Sequence, residues 1–339
     1  MKRWLFLLLG AAVALLAQPL AAQTAEDFYK GKKIDIIIGF TPGGSYDLYA
    51  RTLAEFMPRH IPGQPQIIVQ NKPGAATLNA AQHVYKIAAA DGLTIAMTGN
   101  LLPLEQLLEG KNAKLDMSKA RWLGNLVELT SAVTVWHTQG VKTLADLKAK
   151  EVVFGATGPS GETYMIPIIV NQMLGTKIKM VTGYPGITEV MVAMERGEVG
   201  GRSGSWQNVT QRPHWIAEKK IIAVLQVGVR KHRDLPNVPL LSEVVTDPGD
   251  KRIADLISAS LAISRAPWLA PGTPEDRVKT LRAAFMATVK DPEFLKTAKS
   301  RNVDIDAMPG DEVEKRLSAA LSVPPEQVAR LRKMLSLDR

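Results

Sequence analysis

Apolar positions along the chain fall into short runs that alternate between two spacings. Ile34, Ile36, Ile37 and Ile38 form an apolar run broken only by Asp35, which predicts a buried β-strand. Gly39 to Gly44 interrupts it, and Tyr49, Leu53, Phe56 and Met57 then recur at helical spacing. Ser45 is the expected N-cap of that helix and Pro58 its stop. A strand, a glycine turn and a helix N-terminus form an anion cradle. The first-turn N–H groups lack partners within the helix, and the helix dipole favours negative charge there.

The same spacing recurs downstream. Gln66 to Gln70 reads as a second strand, followed by the turn Asn71 to Ala76 and a helix with Leu78, Ala81, Val84, Tyr85 and Ala88 on one side. Leu93 to Met97 is a third strand, ending in Thr98-Gly99-Asn100, with a helix around Pro103 to Leu108 after it. Strands alternating with helices predict a parallel sheet, whose ligands sit beyond the carboxyl ends of the strands. Arg121 to His137 has strand character, and Thr143 is the expected cap of the next helix.

The pattern then restarts. Glu151 to Phe154 predicts a strand, Gly155 to Gly161 a second glycine loop, and Tyr164 and Ile168 belong to the helix after it. Lys177 to Val181 predicts another strand, with a helix through Met194. Glu198 to Gly201 leads to Arg202, which reads as a cation following a strand end. Ile221 to Val227 completes the set. Thr273 is the expected cap of a helix with Pro274 in its first turn. Further helices start at Asp291-Pro292 and Asp311, and this basic tail is expected to dock on the first half.

Composition narrows the class. The 339 residues are 46% hydrophobic and 22% charged, which suits a globular chain large enough for two domains. Lys2 and Arg3, the apolar run Leu5 to Leu16 and the small residues Leu20-Ala21-Ala22 read as a secretory signal peptide over residues 1–22, cleaved near Ala22. An uncleaved anchor is the rival reading. No later apolar run approaches the roughly 18 residues of a membrane helix. The absence of cysteine excludes disulfides, thiolate metal sites and a cysteine nucleophile. The formal charge of +9 falls to +7 without Lys2 and Arg3, and the basic residues are spread along the chain, so no nucleic-acid partner is expected.

Catalytic signatures are missing. The Ser160 and Ser203 contexts lack nucleophile-elbow spacing, and no phosphate-binding P-loop or dinucleotide fingerprint occurs. The five histidines are scattered without ligand spacing. No enzyme activity, metal or cofactor is therefore expected.

The candidate chemistry is binding. Thr41, Pro42, Gly43, Gly44 and Ser45 offer N–H and hydroxyl donors from the first loop. Ala156, Thr157, Gly158, Pro159 and Ser160 do so from the second. Asn71, Thr98 and Asn100 can add donors. Arg202 reads either as a bidentate carboxylate clamp or as a surface ion-pair partner. Asp47 suits the helix dipole but would repel an anion, welcoming an amine or ordered water instead. Tyr184 is either a lid or core. Trp136, Trp206 and Trp215 read as core or rim.

The run Gly39 to Asp47 with Ala50-Arg51 resembles the opening of tripartite tricarboxylate transporter substrate-binding proteins, the Bug or TctC-like family. Val69 to Ala76, Ala90-Asp91-Gly92, Ala156 to Gly161, Gly183 to Gly186, Met194 to Glu198, Leu235 to Pro239 and Leu269 to Pro274 continue the match in order. The resemblance implies a two-lobed, type II periplasmic-binding-protein-like α/β fold with a ligand cleft between lobes joined by two crossover strands, here Ser131 to Trp136 and Ile222 to Val227. Lobe 1 would comprise residues 23–130 and 228–339, and lobe 2 residues 131–227. It further implies a periplasmic receptor for a small organic acid, expected as a monomer, that serves the large and small membrane subunits of a transporter. The loop Ala156 to Ser160 departs from the usual family pattern, and Ala75-Ala76 replaces residues that are commonly smaller. A same-fold receptor signalling to a membrane sensor and a secreted hydrolase are the alternative readings.

Overall fold

The computed structural model describes residues 24–109 and 115–337, so the expected signal peptide lies outside the described residues. Strand β1 (Lys33–Ile38) buries Ile34, Ile36, Ile37 and Ile38 on both faces, as its largely apolar run requires. It pairs in parallel with β2 (Gln66–Asn71) and β3 (Thr94–Met97). The Ser45–Phe56 helix returns from β1 and buries Tyr49, Leu53 and Phe56. Each such side chain contributes about 1.5–3 kcal/mol of apolar burial.

After β4 (Arg121–Trp122) and the short β5 (Gly124–Asn125), the chain enters a second sheet through β6 (Ser131–Trp136). That sheet continues with β7 (Glu151–Ala156), β8 (Lys177–Thr182), β9 (Gly201–Ser205) and β10 (Ile221–Val227). Its order is β10-β6-β9-β7-β8, with β7 parallel to β8 and β9, and β6 antiparallel to β9 and β10. The antiparallel pair β6 and β10 carries the chain into this lobe and out again. The result is a two-lobed α/β fold.

Three expectations need correction. The first sheet is mixed rather than parallel. β11 (Trp268–Leu269) inserts antiparallel between β3 and β4, so the order is β2-β1-β3-β11-β4. Two residues between Pro267 and Pro271 carry no period-2 signal of their own. Thr273 does not cap the following helix. Pro274 occupies that place, and the Thr273 hydroxyl donates to the Ala270 carbonyl at 2.8 Å. The segment from Leu78 is an α-helix only to Gln82, then widens into a π-turn over His83–Ile87.

Thr143 caps its helix as expected, in a capping box with Asp146. The tail divides between the two cores. Val278, Leu281, Phe285 and Phe294 pack with β1 and the Ser45–Phe56 helix. Ile253, Ile257, Leu261 and Leu331 instead join the core of the second sheet, together with Leu101, Leu104 and Leu108.

A cavity between two helix N-termini

The Ser45–Phe56 helix and the Glu162–Leu174 helix begin where β1 and β7 end, one in each lobe, and their first turns face the same cavity of about 60 Å³. Of the sequence-predicted residues, Thr41, Gly44, Ser45, Asn100, Thr157 and Ser160 lie on its wall. Pro42, Gly43, Asp47, Asn71, Thr98, Ala156, Gly158, Pro159, Tyr184 and Arg202 do not.

Gly44, extended at φ −82° and ψ 169°, stands at the N-cap, and Ser45 is the first helical residue. Ser45 is therefore not the cap. Its amide donates to Asn208 Oδ1 at 3.1 Å, and its hydroxyl accepts from Arg265 Nη2 at 2.6 Å. Behind the loop, the Asp47 carboxylate accepts from the Gly43 amide at 3.1 Å, from Arg51 Nε at 3.0 Å and from Asn71 Nδ2 at 3.0 Å. Asn71 Nδ2 also donates to the Phe40 carbonyl at 2.9 Å. Asp47 and Asn71 thus brace the loop from the side away from the cavity. Burial pushes the Asp47 carboxyl up, but the Arg51 hydrogen bonds, the Gly43 amide and Asn71 outweigh it and hold the pKa below the usual value. Asp47 sits beside its own cation, which removes the conflict with an anion that the sequence suggested.

The second loop is tied by hydroxyls. The Thr157 amide donates to Thr163 Oγ1 at 3.0 Å, the two threonine hydroxyls are 3.1 Å apart, and the Gly161 amide donates to the Gly158 carbonyl at 3.0 Å. Gly158 and Gly161 lie against Ala76 from the first lobe. Pro159 faces a separate depression beside Tyr164 and Leu335. Thr98 Oγ1 accepts from Trp268 Nε1 at 3.0 Å, fastening β3 to β11. Tyr184 packs into the cluster that contains Trp136, Trp206 and Trp215.

Three hydrogen bonds join the walls across the cleft. Thr41 Oγ1 donates to Glu189 Oε2, Ser45 N to Asn208 Oδ1, and Asn100 Nδ2 to Glu162 Oε2, at 3.0, 3.1 and 3.0 Å. The lobes are closed on one another.

The charges at the site differ from those expected. Arg202 lies within β9, not after a strand, and is fully buried at 0% exposure. That overturns its reading as a surface ion-pair partner. Its Nη2 donates to the Ser205 carbonyl at 3.3 Å, while Nε and Nη1 have no partner among the described residues. Burial, against the attraction of Glu162 and with the repulsion of Arg212, lowers its pKa to about 10, so it remains charged at neutral pH.

Arg265 escaped the sequence reading. It follows the Pro248–Ala262 helix, is 2% exposed and lines the cavity. Nη1 donates to Ser264 Oγ at 2.8 Å, and the guanidinium lies 3.7 Å from the centre of the Tyr46 ring. The available signal was its isolation as the one charge between Leu256 and Pro271. Glu162, the one carboxylate on the wall, and Asn208 were also missed.

Two α/β lobes that close a pair of helix N-termini on a cavity between them define a solute-binding protein of the two-lobed class. The chain belongs to the family described as tripartite tricarboxylate transporter family receptor, whose profile matches residues 49–322. It is 35% identical over 234 residues to Protein BugT of Bordetella pertussis, across 66% of this chain and 69% of that one. Among solved structures, the periplasmic binding protein BugD superposes with a TM-score of 0.72 at 18% identity, over 90% of this chain and 98% of the other. MatC from Rhodopseudomonas palustris, with bound malate, gives a TM-score of 0.67 at 17% identity, over 90% and 99%.

Proposed function

We propose that this protein is a periplasmic receptor that captures a small carboxylate between its lobes and delivers it to the large and small membrane subunits of a tripartite transporter. One observation carries the reading. Two long helices, one per lobe, present their N-termini to a single cavity with Arg265 on its wall. The aligned peptide dipoles of the two helices and a guanidinium favour an anion, and a carboxylate matches the guanidinium fork. Membership of a receptor family, and the malate bound to the structurally similar MatC, support the same class of ligand.

In this reading Thr41, Gly44, Ser45, Asn100, Thr157 and Ser160 face the ligand. Pro42, Gly43, Asp47, Asn71, Thr98, Ala156, Gly158, Pro159 and Tyr184 shape the loops that hold them. Residues 1–22 direct export and are removed near Ala22. Closure supplies binding rather than catalysis, because ligand stabilises the closed state by its greater affinity for it.

A thermal-shift screen of carboxylates, neutral sugars and amines tests the proposal. At least one carboxylate should raise the melting temperature, since a ligand at about 100 times its Kd adds roughly 2.7 kcal/mol to the folded state. A shift from a neutral class with none from any carboxylate would refute it.

A further inference from the structure

The site carries more positive charge than the protein itself neutralises. Arg265 on the wall and Arg202 behind Gly204 and Ser205 are both buried, and neither guanidinium forms an ion pair with a described carboxylate. Arg202 Nη1 would lie 2.8 Å from a Cβ placed on Gly204, a position also near Ile187 and Thr163 of the wall, so the guanidinium runs directly beneath the lining. Arg265 Nε and Arg202 Nε and Nη1 are buried N–H groups without acceptors among the described residues. Glu162 is the one acid on the wall, and its Oε2 accepts from Asn100. Two cations against one anion leave one positive charge at a largely apolar cavity. An uncompensated buried charge is costly, and a ligand of opposite sign removes that cost on binding.

A ligand with a second carboxylate would replace the surplus positive charge with a surplus negative one.

We propose that the ligand is a monocarboxylate, such as one of the acetate, glycolate or lactate class, whose carboxylate accepts from Arg265 Nε while Arg202 supports it with a second positive charge through the Gly204–Ser205 wall. This rests on the reading of the cleft as a carboxylate site. It sets the chain apart from the malate-bound MatC in the charge of the ligand. Methyl or methylene carbon of such an acid meets Phe40, Leu101 and Ile187, and an α-hydroxyl meets the hydroxyls of Thr157 and Ser160.

The test is calorimetric titration of the full mature chain with acetate, glycolate, lactate, pyruvate, malonate, succinate, adipate and citrate at matched ionic strength. The best monocarboxylate should bind at least about tenfold more tightly than any acid with two or three carboxyl groups. Arg265→Gln should weaken that ligand at least about tenfold, as expected for loss of a charged hydrogen bond. A di- or tricarboxylate that binds more tightly than every monocarboxylate overturns this inference and leaves the wider carboxylate proposal standing. Failure of every acid to bind removes both. Unchanged affinity in Arg265→Gln overturns the assigned role of the arginine. Should Arg265→Gln not fold by circular dichroism, Arg202→Met is read in the same way. That change deletes a cation with one weak hydrogen bond and no ion-pair partner, so the fold should tolerate it while monocarboxylate affinity falls.

Discussion

Asp47 shows how a side chain that looks like a ligand contact becomes a brace. Its carboxylate is one turn from Arg51 and within hydrogen-bonding distance of the Gly43 amide, so it fixes the loop that carries Thr41 and Gly44. The consequence is pH-dependent. Because the folded state holds the Asp47 pKa below its usual 3.8, the brace contributes stability that is present above that value and is lost as pH falls through the depressed one. Asp47→Asn should therefore be less stable than the wild type at neutral pH, and the gap should narrow as urea-unfolding midpoints are followed down into the acid limb. A gap of constant size across that range would mean that the ionised carboxylate is not what holds the loop. The buried arginines follow a different rule. Arg202 and Arg265 stand where an unpaired cation destabilises the protein by itself, and such a group is explicable when a bound anion completes it.

At the scale of elements, the strand–glycine–helix units were legible because each link has a local cause. Apolar runs gave β1 and β2, helical spacing gave the Ser45–Phe56 helix, and Thr143 with Asp146 marked a helix start that the structure reproduces. Elements specified by distant partners were not legible. β11 owes its place to pairing with β3 and β4 on either side. β9, with the sequence Gly-Arg-Ser-Gly-Ser, is buried at every position, so it lacks the alternation of a half-buried strand and reads as a loop. That is why Arg202 was placed beyond a strand end. Arg265 meets Ser45 across 220 residues of sequence, and no local pattern encodes such a contact.

The turn before the Leu78–Gln82 helix holds a further feature invisible to pattern. Ala75, Ala76 and Thr77 take φ of +45°, +49° and +85°, in the left-handed region that disfavours a Cβ. Tight contact explains why the segment is held there. A Cβ on Gly39 would lie 2.3 Å from Thr77 Cβ, and Thr77 Oγ1 accepts from the Gly99 amide at 2.9 Å, so β1, β3 and this turn interlock. Ala75 is off the cavity wall, so it can be changed without altering the lining. Ala75→Gly should stabilise the protein by about 0.5–1 kcal/mol, the relief of left-handed strain less the added chain entropy of glycine. Urea unfolding with an unchanged m-value measures it. Equal or lower stability would show that Ala75 bears no such strain.

For the whole molecule, the contacts that close the cleft come from segments far apart in sequence and meet at few points. Thr41 reaches Glu189, Asn208 reaches the Ser45 amide, and Gln207 Nε2 donates to the Asn302 carbonyl. Gly186 is the tightest of these points. A Cβ there would lie 2.2 Å from Thr41 Oγ1 and 3.0 Å from Glu189 Oε2, although its extended backbone, at φ −160°, accepts any residue. Gly186→Ala thus leaves the second lobe's own backbone unstrained, displaces at most the flexible end of Glu189 within that lobe, and obstructs the approach of the first. The expected outcome is a shift of the ligand-free population towards open forms, seen as a larger radius of gyration in solution scattering. Ligand should then close the variant to the wild-type dimension at a higher concentration, because part of its binding free energy offsets the obstruction. An open variant that ligand cannot close would mean that the contact belongs to the binding geometry itself. Identical scattering and affinity in the two proteins would mean that Thr41 turns aside freely and that closure is governed instead by Asn208 and Asn100.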